Sequence, residues 1–153
     1  VYGQTSQNLS KLCGDFIVQR ADGVFAYQLA VVVDDADMGV TEVVRGSDLL
    51  SSTPRQLYLQ DVLGFSHPIY AHLPLLVAPD GRRLSKRNHD LDLGVLRDQG
   101  KTPEEILGFL AYCIGLAEKE EPLSAVQVAN RFSWDVLRAH RKNVVVEHFS
   151  HVL

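Results

Sequence analysis

The chain has 153 residues, of which 46% are apolar and 22% charged, and its formal net charge is -4. That length holds a sizeable core, the balance is that of an ordinary globular protein, and the negative sign excludes a surface that grips nucleic acid all over while leaving room for a local basic patch. No apolar run is long enough to span a membrane, and residues 1–8 have neither the basic nor the apolar stretch of a signal peptide.

Residues 1–14 are polar and read as a connector. Residues 15–20 (DFIVQR) alternate apolar and charged side chains, a strand pattern, and Ala21-Asp22-Gly23 supplies turn chemistry. Residues 25–33 (FAYQLAVVV) support two assignments: the β-branched end favours a strand, whereas Phe25, Leu29 and Val32 fit one helical face. Residues 41–45 (TEVVR) predict a short strand ended by Gly46. Ser51-Ser52-Thr53-Pro54 predicts a helix start, with a hydroxyl residue at the N-cap and Pro at the first helical position. That helix is expected over 54–63, stopping at Gly64 as a left-handed cap. Residues 69–77 read as a buried strand with an irregularity at Pro74, and Ala78-Pro79-Asp80-Gly81 as a turn. A basic loop, Arg82-Arg83-Leu84-Ser85-Lys86-Arg87, follows.

Past residue 90 the pattern becomes helical. Helices are expected over 93–99, ended by Gly100, and over 103–114, opened by Thr102-Pro103-Glu104-Glu105 and capped by Gly115. The acidic first turn of the second suits the positive end of a helix dipole. Two more short helices are expected over 124–132 and 134–141. The expected organisation is an α/β part over residues 1–90 and a small helical region over 91–153.

Four features could carry chemistry. The basic loop suits a polyphosphate, because Lys86 is a mobile point charge able to follow charge developing on a leaving group, and loops at strand ends are where α/β sheets bind ligands. The same cations also fit a solvated loop. Arg45, between a predicted strand and Gly46-Ser47-Asp48, could clamp a carboxylate, or equally pair internally with Asp48 or Asp35. Tyr27 lies in an apolar run and reads as a core residue whose hydroxyl needs a partner, or as a ligand. Asp34, Asp35 and Asp37 could hold a metal or an ammonium group, or form a solvated turn. His72 reads as a hydrogen-bonded core residue, and His67, His89, His140, His148 and His151 show no ligand spacing. Cys13 and Cys113 form no CxxC pair, so neither a disulfide framework nor a zinc site is expected. Reduced cysteines with no export signal point to the cytosol.

The motifs form an ordered set. GDFIVQR at 14–20, FAYQLAVVVDD at 25–35, MGVT at 38–41, VVRGSDLL at 43–50, STPRQ at 52–56, AHLPL at 71–75 and GRRLSKR at 81–87 come in sequence. This order resembles the second half of the catalytic domain of the class I glutamyl-tRNA synthetases, and Arg83–Arg87 resembles their "KMSKS" signature. Phe25-Ala26-Tyr27, the opening Val1-Tyr2-Gly3, and Phe132-Ser133-Trp134 in the tail resemble the short glutamyl-Q tRNA(Asp) synthetase branch of that family.

The resemblance implies a Rossmann-like α/β half-domain followed by a small helical region. It implies a ligase that activates glutamate with ATP, presented with Mg2+, and passes the glutamyl group to queuosine of tRNA(Asp). Alternatives are charging of tRNA(Glu) by a truncated synthetase, or a noncatalytic tRNA- or protein-binding fragment. Carried over to this sequence, Lys86 would stabilise the pyrophosphate leaving group, and Arg83, Leu84, Ser85 and Lys86 would bind ATP. Arg45 would pair with glutamate and Tyr27 would hydrogen-bond it. No metal is expected, because the cysteines that bind zinc in some members lie upstream. Nothing like the family's "HIGH" motif occurs in these residues, and the chain starts at Val1 rather than Met. The upstream half of the same enzyme is therefore expected to be missing, leaving the chain inactive alone and prone to self-association. The first signature position is Arg83 where the family has Lys.

Overall fold

The structure is a computed structural model that describes residues 1–84 and 92–146. Ser85, Lys86 and Arg87 of the basic loop, and the domain boundary expected at 90/91, lie outside the described residues. By its contacts the chain divides into two units, Tyr2–Leu73, and Pro74–Leu153 together with Val1. Each is a mixture of helices with a two-stranded parallel sheet, so the class is α/β.

In the first unit a short helix α1 (Leu9–Leu12) precedes a turn at Asp22-Gly23. The strand expected over 15–20 does not form: the segment makes one antiparallel bridge, Gln19 to Phe25, closed by Arg20 N–H to the Val24 carbonyl at 2.8 Å. Alternation specifies a strand only where a neighbour supplies a ladder. The ambiguous run becomes helix α2 (Tyr27–Asp37). Val32 is buried, so the helical face outweighs the β-branched preference.

Strand β1 (Glu42–Gly46) leads through a 3-10 turn (Ser47–Ser52) into helix α3 (Thr53–Leu63), and the chain returns as β2 (Ile69–Leu73). The strands are parallel, pairing Glu42 with Ile69, Val44 with Ala71 and Gly46 with Leu73. Parallel strands need a crossover, and α3 provides it. Its end was legible: Gly64 has φ of 72°, and Phe65 N–H closes on the Gln60 carbonyl at 2.9 Å. Its start differs from the expectation. The 3-10 turn runs straight into the helix, so Ser52 has helical dihedrals and makes no side-chain cap.

In the second unit, the strand expected over 69–77 breaks at Pro74. β2 ends before it, and β3 (Leu76–Val77) pairs instead in parallel with β4 (Val144–Val145), a strand with no sequence expectation. Helices α4 (Leu93–Asp98), α5 (Pro103–Cys113), α6 (Ala125–Arg131) and α7 (Trp134–Ala139) follow the expected order with shorter ends. The Thr102 start is a full capping box: Thr102 Oγ1 accepts from Glu105 N–H at 3.2 Å, and Glu105 Oε2 accepts from Thr102 N–H at 2.7 Å. The Thr102 backbone N–H, and its hydroxyl donating to the same Oε2 at 3.0 Å, hold the Glu105 carboxyl below its usual range. Ala111, Leu116, Ala117 and Leu123 form one core cluster. α5 approaches the 121–123 segment so closely that a Cβ on Gly108 would collide with the Glu121 carbonyl oxygen.

Candidate functional site

Arg45 and His72 are the penultimate residues of β1 and β2 and face each other across the parallel pair. They therefore sit at the carboxyl ends of the strands, where α/β sheets bind ligands. Tyr70, two residues before His72, shares its face of the strand, and its ring lies under the Arg45 guanidinium with Cζ 4.9 Å from the centroid. The Tyr70 and His72 rings stack at 6.3 Å.

Arg45 is held by several hydrogen bonds. Nε donates to His72 Nε2 at 3.2 Å, and Nη2 donates to Thr53 Oγ1 at 2.8 Å and Gln56 Oε1 at 2.7 Å, with a longer contact to the Leu49 carbonyl at 3.5 Å. Gln56 Nε2 in turn donates to Gln28 Oε1 at 2.9 Å, and Gln28 Nε2 donates to Ser52 Oγ at 3.1 Å. Thr53, the hydroxyl expected to cap the helix, is thus used to hold Arg45, and Ser52 before it anchors a glutamine. Every acceptor around Arg45 is neutral. Among the described residues it has no carboxylate partner, so the internal ion pair to Asp48 or Asp35 does not form. A guanidinium fixed in place by neutral acceptors, with no ion pair among the described residues, can receive an anion, and the Asp48 carboxylate is near enough to act electrostatically on its neighbour His72.

Tyr27, at the start of α2, is 53% exposed, so the core reading fails for it. It lies close enough to Tyr70 for its charge to act there, as does Asp35. Burial pushes the Tyr70 hydroxyl above its ordinary value, against the Gln60 hydrogen bond and Arg45, which lower it.

Burial lowers the His72 pKa, and the Arg45 charge lowers it further. The neutral ring is also what the geometry needs, since Nε2 accepts from Arg45. Above the unfolded value of about 6.5 both states are neutral; below it the unfolded chain takes up a proton that the fold refuses. Stability should therefore fall as pH drops below about 6.5, by at most about 1.4 kcal/mol per pH unit from this group. Urea unfolding of wild type and His72→Gln across that range checks this; equal slopes would remove His72 as the cause.

Of the basic loop, Arg82 is paired with Asp80 at 3.1 Å across the Gly81 turn, which takes it out of the set of mobile cations. Arg83 is exposed and bridges to Val77, and Leu84 is half-buried. Among the described residues no group of three His, Cys, Asp or Glu side chains could hold a metal, which leaves Asp34, Asp35 and Asp37 without that role. His72, Thr53, Gln56, Gln28 and Tyr70 are the site residues that sequence patterns did not single out as functional. No local sequence signal marks them, because their partners lie up to 28 positions away.

Residues 1–150 match the family described as tRNA synthetases class I (E and Q), catalytic domain. A glutamyl-Q tRNA(Asp) synthetase from Symbiobacterium thermophilum is 52% identical over 131 residues, covering 86% of this chain and 40% of that protein. Another from Geobacter sulfurreducens is 60% identical over 98 residues, covering 64% of this chain and 31% of that protein. Among solved structures, a glutamate tRNA ligase from Elizabethkingia meningosepticum in complex with its amino acid superposes with a TM-score of 0.66 at 25% identity, covering 84% of this chain and 29% of that one. The chain thus spans less than half the length of these relatives. With its motif order matched over nearly its whole length, the chain belongs to the class I tRNA synthetases (E and Q), within their catalytic domain.

Proposed function

We propose that this chain is the second half of a Rossmann-like catalytic domain that makes glutamyl-adenylate and passes the glutamyl group to queuosine of tRNA(Asp). A carboxylate oxygen of glutamate attacks the α-phosphorus of ATP, and the bond to the bridging oxygen breaks to release pyrophosphate. The observation that carries this reading is Arg45, fixed by neutral acceptors with its charge left over for a ligand carboxylate. Glutamate supplies that carboxylate, and Tyr27, exposed at the start of α2, hydrogen-bonds it. ATP binding is assigned by the family resemblance to Arg83, Leu84, Ser85 and Lys86, with Mg2+ arriving on the nucleotide. Identities of 52% and 60% to glutamyl-Q tRNA(Asp) synthetases favour the queuosine acceptor over charging of tRNA(Glu). Both cysteines are free thiols, which supports a cytosolic setting.

The test is glutamate-dependent ATP–pyrophosphate exchange. The 153 residues alone should show none above a Lys86→Ala control, whereas the same segment joined to the upstream half implied by its family should exchange. Transfer of labelled glutamate to tRNA(Asp) bearing queuosine, and not to tRNA(Glu), completes the assignment. Absence of exchange by the joined enzyme would leave a binding module in its place.

A further inference from the structure

Gln56 is 1% exposed, and both ends of its amide are committed. Nε2 donates to Gln28 Oε1, while Gln28 donates its own Nε2 to Ser52 Oγ, so the relay runs in one direction and aims Gln56 Oε1 at Arg45. Gln28 follows Tyr27 directly on α2, so the relay also ties the helix that carries Tyr27 to the cation on β1. A half-buried arginine such as Arg45 is ordinarily paired with a carboxylate, which satisfies both charge and hydrogen bonds. Here a glutamine stands where a glutamate would fit.

We propose that Gln56 is a positioning residue whose neutrality sets specificity: it orients the Arg45 guanidinium without neutralising it, leaving the charge to select a ligand carboxylate over the corresponding amide. The inference rests on the reading that Arg45 receives glutamate. Its consequence is unusual for a buried polar residue. Gln56→Glu is nearly isosteric and can keep every hydrogen bond. Its carboxylate accepts from Arg45 Nη2, the Gln28 amide turns to donate to the second oxygen, and Ser52 donates to the Gln28 oxygen. The fold gains an ion pair and the site loses its free charge.

The experiment uses the enzyme with its upstream half, as wild type, Gln56→Glu and Arg45→Ala. It reads the glutamate KM in pyrophosphate exchange, the inhibition constant of glutamine, and the melting temperature. For Gln56→Glu the expected result is a glutamate KM raised about tenfold or more, the loss of one charge-assisted contact. Glutamine inhibition should change far less, and the melting temperature should be no lower than wild type. A glutamate KM within about twofold of wild type, with Arg45→Ala strongly impaired, overturns the proposal and leaves the glutamate reading standing. Equal loss for glutamate and glutamine, or a lowered melting temperature alongside it, also overturns it, because Gln56 is then a structural residue. An unchanged KM in Arg45→Ala overturns the glutamate reading itself.

Discussion

Arg45→Ala, in the enzyme with its upstream half, should raise the glutamate KM by the equivalent of roughly 2–5 kcal/mol while changing the rate at saturating glutamate much less. The carboxylate that Arg45 is proposed to meet is already charged in the ground state, so the interaction would be present before and during the bond change and its loss would fall on binding. The size follows from the setting. His72, Thr53 and Gln56 hold the guanidinium at 3.2, 2.8 and 2.7 Å, so little ordering remains to be done when the ligand arrives. Nη1 has no hydrogen-bond partner among the described residues, which leaves that edge for the ligand. Arg45→Lys should recover only part of the loss, because an ammonium cannot satisfy acceptors on His72, Thr53 and Gln56 and also present a flat edge. Steady-state exchange at varied glutamate and ATP checks this. An unchanged glutamate KM would make Arg45 a residue that merely ties α3 to the sheet.

What the residues disclosed and what they hid follow from the range of the interactions concerned. Local chemistry was legible. Gly64 ended α3 because a left-handed cap is encoded by one residue, and Thr102 with Glu105 opened α5 because both partners of the box lie within one turn. The ordered motifs over 14–87 carried the family. Long-range choices were not legible. The 15–20 segment alternates like a strand, yet no neighbour offers it a ladder. Val31, Val32 and Val33 favour a strand locally, and packing of α2 against α3 makes them helical. β4 is two residues long, and only its pairing with β3 identifies it. The relay through Gln28 and Gln56 spans 28 positions in sequence. A glutamine on α3 has the same letter whether it faces water or a guanidinium, so its role appears only once β1, β2 and α2 are in place.

Lys86→Ala should act in the opposite sense to Arg45→Ala. It should slow adenylate formation on the order of a hundredfold or more while leaving the glutamate KM nearly unchanged. Lys86 lies outside the described residues, and the role proposed for it rests on its place in the Arg83–Arg87 stretch and on the chemistry of the proposed step. As the bond from the α-phosphorus to the bridging oxygen breaks, negative charge grows on the departing pyrophosphate. A cation that meets this charge is worth more in the transition state than in the ground state, so its removal lowers kcat and kcat/KM together. Of its neighbours, Arg82 is already committed to Asp80, which leaves fewer cations to substitute for a missing lysine. Lys86→Arg should recover part of the rate, since charge is kept while the compact ammonium is replaced by a larger planar group. Single-turnover formation of adenylate, measured apart from transfer to tRNA, isolates the step. A Lys86→Ala enzyme that forms adenylate at the wild-type rate, but with a raised KM for ATP, would reduce Lys86 to a ground-state contact with the nucleotide.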